Sequence, residues 1–238
     1  MHWYTADGRA PTMVDYADPR KGQRKATLRD ARKYGWAPGV TDVLKVLDKP
    51  GLNNWRVEQA VLVARRLIEN EPDLLRLPEE AFLGLVRSAE DTSKRDIGVE
   101  IHKDIERAIK GEPHGNRHIV NRVLETLPAE TFSSEVAVYA KPNRAYGGTI
   151  DLLGAEWIID IKTKETLGDR MVWDEHHMQL AAYRYALLHQ GQGTLRCANL
   201  FVDYTGDVEL IEHEDDELAR GLGMFTTALE LWYLTRRM

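Results

Sequence analysis

Cysteine occurs once in the 238 residues, at Cys197. One thiol cannot close an intramolecular disulfide, supply a cysteine-based zinc site or hold a Cys-ligated iron–sulfur cluster. A reducing, cytoplasmic compartment is the expectation. No apolar run approaches the roughly 18 residues that a membrane span needs. The opening Met1-His2-Trp3-Tyr4-Thr5-Ala6-Asp7 lacks the basic-then-apolar order of a secretory signal. No repeat and no low-complexity tract is present. What remains is ordinary soluble composition, 43% hydrophobic and 29% charged with a mean hydropathy of −0.45, on a chain long enough to bury a real core.

Positive charge is short overall, 32 Lys and Arg against 38 Asp and Glu for a net −6, but it is unevenly spread. Arg20, Lys21, Arg24, Lys25, Arg29, Arg32 and Lys33 face a single acid, Asp30, within one stretch. Such a segment reads either as a solvated face or as a local phosphate-binding surface. From Asp203 to Glu217 there are eight acids and no Lys or Arg, which suits an edge hairpin and the start of a helix, where carboxylates favour the dipole.

Residues 1–40 are punctuated by Gly, Pro and Asp and read as irregular, with one short helix near 26–34. Thr41 is placed to cap a short helix ending at Lys49-Pro50-Gly51, and a longer one starts at Asn53 or Asn54. Leu77-Pro78-Glu79-Glu80 opens another. Ile97, Ile101, Ile105 and Ile109, four apart, predict a helix over 93–110 that stops at Gly111 and Pro113, and a further helix follows over 117–127. Residues 1–130 are thus expected to be a mostly helical N-terminal region. From 131 the period changes to that of strands, at 132–139, 147–153 and 156–162. A helix over 173–189, strands at 195–204 and 208–213 and a last helix over 216–236 complete a mixed-sheet core, residues 131–238.

Asp151 and Asp160 fall on neighbouring strands joined by a tight turn, each embedded in apolar residues. A carboxylate in that setting is expensive to desolvate unless something compensates it, and a divalent cation can compensate two at once. Lys162 shares the face of Asp160, in the only Asp/Glu-x-Lys triplet of the chain. A same-face ion pair with Asp151 as a turn residue accounts for the triplet equally well. Gln179 and Tyr183 lie four apart on the next helix. His102 lies on the isoleucine helix, where a lone histidine reads first as core. His177 reads first as a surface residue, with contact to DNA or metal as the alternative.

Taken in order, Gly98-x3-His102, Gly148-x2-Asp151, Asp160-x-Lys162 and Gln179-x3-Tyr183 resemble the RecB-type exonuclease branch of the PD-(D/E)XK nucleases. The likeness is greatest to phage exonucleases and to the mitochondrial genome maintenance exonuclease type. Pro38-Gly39-Val40-Thr41-Asp42-Val43-Leu44 and Asp48-Lys49-Pro50-Gly51-Leu52-x2-Trp55 look like the N-terminal helical region of those proteins, so the resemblance covers residues 38–183. It implies an α/β, restriction-endonuclease-like αβββαβ core with helical N-terminal additions. It also implies DNA phosphodiester hydrolysis with one or two Mg²⁺ or Mn²⁺ ions, in recombination, repair or replication. By that resemblance His102, Asp151, Asp160 and the Ile161 carbonyl match metal-ligand positions and Lys162 the catalytic lysine. Gln179 and Tyr183 match the motif that supports the lysine and meets DNA, with Glu135 an accessory acid. The cysteines of the iron–sulfur relatives are missing, and so are helicase motifs, so a helicase or recombination partner would do any unwinding. Arg20, Lys21, Arg24, Lys25 and Arg29 would track the backbone of single-stranded or free-ended DNA, and Trp36 and Trp55 could stack on unpaired bases. A structure-specific endonuclease, a DNA-binding module with a decayed site and an interaction domain using the acidic segment remain alternatives.

Overall fold

The computed structural model describes residues 1–47, 50–88, 93–168 and 172–238. Asp48, Lys49 and the side chain of Trp55 fall outside them. The chain divides into two compact units, residues 47–97 and the remainder, 1–46 with 98–238. The smaller unit holds α3 (Pro50–Asn70), a 3₁₀ turn (Pro72–Arg76) and α4 (Glu79–Ser88), with α3 packed on both. It also takes in the first residues of α5 (Ser93–Ile109); from Gly98 on, that helix belongs with the sheet. No described helix is long and apolar enough to cross a membrane.

The larger unit is a mixed α/β fold around a five-stranded sheet. Its strands are β5 (Ser133–Ala140), β6 (Tyr146–Leu153), β7 (Trp157–Lys164), β8 (Arg196–Asp203) and β9 (Val208–His213), ordered as in the sequence. All neighbours are antiparallel except β7 and β8, which are parallel and joined through α7 (Asp174–His189). A parallel pair needs such a crossover. The alternation along β7 sorts its side chains between two faces. Ile159 and Ile161, with Leu152, Ala198, Leu200 and Val202, pack under Ile101 and Ile105 of α5 and under Val120 and Val123 of α6 (Arg117–Thr126). Asp160 and Lys162, one step out of phase, meet α7 instead. The last helix, α8 (Asp215–Arg236), packs along α7.

The first forty residues depart from expectation. They form four very short strands, β1 (Trp3–Tyr4) paired with β4 (Ala37–Pro38) and β2 (Met13–Asp15) paired with β3 (Gln23–Lys25), besides α1 (Leu28–Tyr34). Strands of two or three residues carry no readable period. Next, α2 (Val40–Leu44) is entered from Gly39 rather than capped by Thr41. The long helix starts at Pro50, not Asn53, as befits a residue whose fixed φ suits the first helical turn.

Candidate active site

The strands β6 and β7 ladder at only two positions, Leu152 with Ile159 and Leu153 with Ile158. The next pair along would set Asp151 opposite Asp160, and there the ladder stops. The Ile161 amide donates to Asp151 Oδ2 at 2.7 Å, so a side chain takes the place of a strand carbonyl. The result is two carboxylates facing each other where two strands part. Across β6 from Asp151 stands Glu135, between the registered pairs Ser134–Leu152 and Val136–Ile150. Its φ of +56° is uncommon outside glycine and interrupts β5 at that level.

Asp160 is 2% exposed and held by three donors. Gln179 Nε2 reaches Oδ1 at 2.7 Å, while Asn199 Nδ2 at 2.8 Å and Lys162 Nζ at 2.7 Å reach Oδ2. Lys162 also donates to Gln179 Oε1 at 3.1 Å, and Gln179 Nε2 donates to the Tyr183 hydroxyl at 3.1 Å. Acid, lysine and glutamine therefore form a closed triangle that locks each rotamer. Burial, and then Asp160, push the Asp151 carboxyl well above the usual carboxylate range. Burial works against the Lys162 ammonium, but the acids around it, Asp160 first and then Asp151 and Glu175, together raise its pKa, so Lys162 stays charged.

Two glycines set these distances. A Cβ on Gly148 would come within 2.4 Å of the Tyr183 ring, and one on Gly98 within 2.5 Å of Thr163 Oγ1. The first lets α7 settle on β6. The second lets α5 cross β7 closely enough that Asp160 and Lys162 both act on His102, whose pKa is lowered chiefly by burial. Glu106, one turn on along the same helix, and Lys110, just past its end, both act on Glu135. In front of the carboxylates lies a cavity of about 320 Å³, lined by Asp151, Gln179, Tyr183, Thr149 and Glu135 and closed by the N-terminal residues His2, Trp3 and Tyr4. The Tyr4 hydroxyl pairs with Thr149 Oγ1 at 3.0 Å.

The structure thus brings together Asp151, Asp160, Lys162, Gln179, Tyr183, Glu135 and His102. Tyr183 is 2% exposed and accepts from Gln179, and it lines the cavity. One expectation needs correction. His177 is buried at 6%, not on the surface. Arg24 makes a two-pronged bond to Asp30, both contacts at 2.7 Å, while Asp30 also caps α1 through the Thr27 amide and hydroxyl. Arg24 is therefore part of the fold. Arg20 pairs with Asp18, and Lys21, Lys25 and Arg29 are exposed. Trp36 is half-buried and stacks on Tyr34. Asn199 and Tyr4 went unnoticed in the sequence. A lone amide within Cys197-Ala198-Asn199-Leu200-Phe201-Val202 is a signal that could have found Asn199, since a buried amide needs partners.

No family model matches the sequence, and no curated protein matches it. Among solved structures, a Eubacterium rectale protein assigned as an exonuclease is similar at 12% identity and a TM-score of 0.47, over 59% of this chain and 68% of that one. An alkaline exonuclease of Laribacter hongkongensis is similar at 16% identity and a TM-score of 0.29, over 57% and 82%. Both are distant, and the reading below stands on the side chains themselves.

Proposed function

We propose that the chain is a metal-dependent deoxyribonuclease of the PD-(D/E)XK type that degrades DNA from ends. The observation that carries this is the pair Asp151 and Asp160 at the parting of β6 and β7, with Lys162 fixed beside them by Gln179. Two carboxylates against one ammonium leave the site short of positive charge, and a hard divalent cation makes it up. Burial, and then the facing Asp160, raise the pKa of Asp151, and a cation would relieve both. Asp151 and Asp160, with the Ile161 carbonyl and His102, are the groups that would hold the ion. When bound, it would polarise the scissile phosphate and make a water more acidic.

The protein's own groups do the rest. Gln179 and Asn199 fix Asp160, so the carboxylate cannot swing when substrate arrives. Lys162, held on the same network, orients the attacking water or meets the charge that builds on the phosphate in the transition state. Glu135, at the rim, is placed to take a proton.

The cavity favours a single strand. Its volume of about 320 Å³, walled by His2, Trp3 and Tyr4, suits one strand better than the open face a duplex would need. The exposed Lys21, Lys25 and Arg29 provide phosphate contacts for such a strand, which fits work on resected ends during recombination, repair or replication. The deciding experiment is a time course on end-labelled linear duplex, linear single strands and closed single-stranded circles with Mg²⁺, Mn²⁺, Ca²⁺ or EDTA. Linear single strands should be shortened with Mg²⁺ or Mn²⁺, and circles should persist. Cut circles would make the enzyme an endonuclease, and no cleavage under any metal would overturn the nuclease reading.

A further inference from the structure

On the side of Asn199 away from Asp160, three more side chains converge: His177 of α7, His213 at the end of β9 and Glu217 in the first turn of α8. Taken one atom from each residue, their donors all lie within 4.8 Å of one another. The two histidines are each 6% exposed and their rings meet edge to face at 4.7 Å. His177 Nε2 stands 3.8 Å from Glu217 Oε1, and His213 Nδ1 stands 3.9 Å from Glu217 Oε2. None of these gaps is a hydrogen bond.

Hydrogen-bond logic fixes the proton on His213. Asp160 accepts from the Asn199 Nδ2, so that amide turns its Oδ1 toward His213 Nε2, 2.8 Å away. An acceptor there requires Nε2 to carry the hydrogen. Nδ1 is therefore bare, and its lone pair faces a carboxylate. His177 adds a second anomaly, because both of its ring nitrogens are buried with no hydrogen-bond partner among the described residues. Glu217 Oε2 already accepts the Glu214 amide at 3.1 Å as part of the helix cap, which leaves Oε1 toward His177. Close packing makes the approach possible, since a Cβ on Gly221 would come within 2.7 Å of the His177 backbone.

We propose that His177, His213 and Glu217 form a second metal site, separate from the Asp151–Asp160 centre, that takes a zinc-class cation. Two imidazoles and one carboxylate suit Zn²⁺ and its neighbours rather than Mg²⁺. Ligand atoms on a tetrahedral ion with bonds of 2.0–2.1 Å are about 3.3 Å apart, so donors that lie within 4.8 Å of one another need to close by about 1.5 Å at most. The bond from His213 to Asn199 is the kind of outer contact that orients a ligating imidazole. The ion would tie α7, β9 and α8 together and, through Asn199, brace Asp160. The side chain of Glu217 is 43% exposed, which provides the way in. The site stands whether or not the chain cuts DNA.

The test is a Co²⁺ titration of the full chain after EDTA treatment and dialysis, followed by the visible d–d absorption and by Tm. One equivalent should give an intense low-coordinate spectrum and raise Tm, with Zn²⁺ displacing it and excess Mg²⁺ not. Asp151→Asn, which disables the other centre, should leave the spectrum unchanged. Glu217→Gln keeps the cap acceptor and should lose at least tenfold in Co²⁺ affinity, and His177→Ala should abolish the spectrum. Absence of the spectrum in the wild type overturns the proposal. So does a spectrum that survives both cluster variants, or one that disappears in Asp151→Asn, because the ion would then sit at the other centre.

Discussion

Lys162 and Asp160 have separable jobs. In Lys162→Ala, Asp160 keeps its bonds from Gln179 and Asn199, so the fold should hold while the transition-state charge goes unmet. The turnover rate should fall by about a hundredfold or more at nearly unchanged Tm; equal cleavage at equal stability would remove Lys162 from the mechanism. Asp151 makes a different demand. In the unfolded chain it ionises in the ordinary range, whereas in the folded protein burial and Asp160 hold its proton to higher pH. Between those two values the folded state binds more protons, so without metal its stability falls as pH rises from the ordinary carboxylate range upward. Asp151→Asn should abolish activity and, in EDTA, raise Tm by a few degrees in mildly alkaline buffer but hardly at all in acid. Parallel Tm curves for variant and wild type would contradict the assigned strain. The residues of the proposed site were visible in the sequence because charge in an apolar strand is conspicuous. Asn199 was not singled out because an amide in a strand can face solvent, and only the pairing of β7 with β8 puts it against Asp160.

At the scale of elements, legibility followed length. The five sheet strands and helices α5 to α8 fall within a residue or two of where their periods put them, since six or more residues of alternation or of i, i+4 spacing leave little choice. Strands β1 to β4 escaped because each is shorter than one period can certify, and β1 and β4 are held by distant partners such as Gly147, against which the Tyr4 ring lies. The motif glycines were readable as a spacing, but their reason lies in the packing. Gly148→Ala should destabilise by about 1–3 kcal/mol, because the Tyr183 ring has no room to retreat. The double variant G148A/Y183L should lose less than the two singles summed, as measured by denaturant melts. Strict additivity would show that the ring is not what the glycine accommodates.

For the whole molecule, the question is how a chain of net charge −6 would hold the polyanion of the proposed function. The structure divides the basic segment between scaffold and surface. Arg24→Gln should lower Tm, since it strips Asp30 of its two-pronged partner, and a single-strand binding assay would then report mainly stability. The triple variant K21Q/K25Q/R29Q should leave Tm alone and weaken single-strand binding. If each side chain meets one phosphate, the slope of log K against log salt should flatten by about two. An unchanged slope would place the strand elsewhere.

The N-terminal wall of the cavity also has a consequence for timing. Tyr4 rests on Gly147 and Thr149, and Trp3 meets Trp232 of α8 edge-on at 6.2 Å, so this wall is seated by residues made long after it. At about 5–20 residues per second, a ribosome takes on the order of ten seconds or more to bridge that span. Throughout that interval the carboxylates can gather on β6 and β7, but the cavity in front of them lacks its wall. On the proposed function, the nascent chain would hold a strand less well than the folded one, and the cavity would be complete only once α8 has emerged.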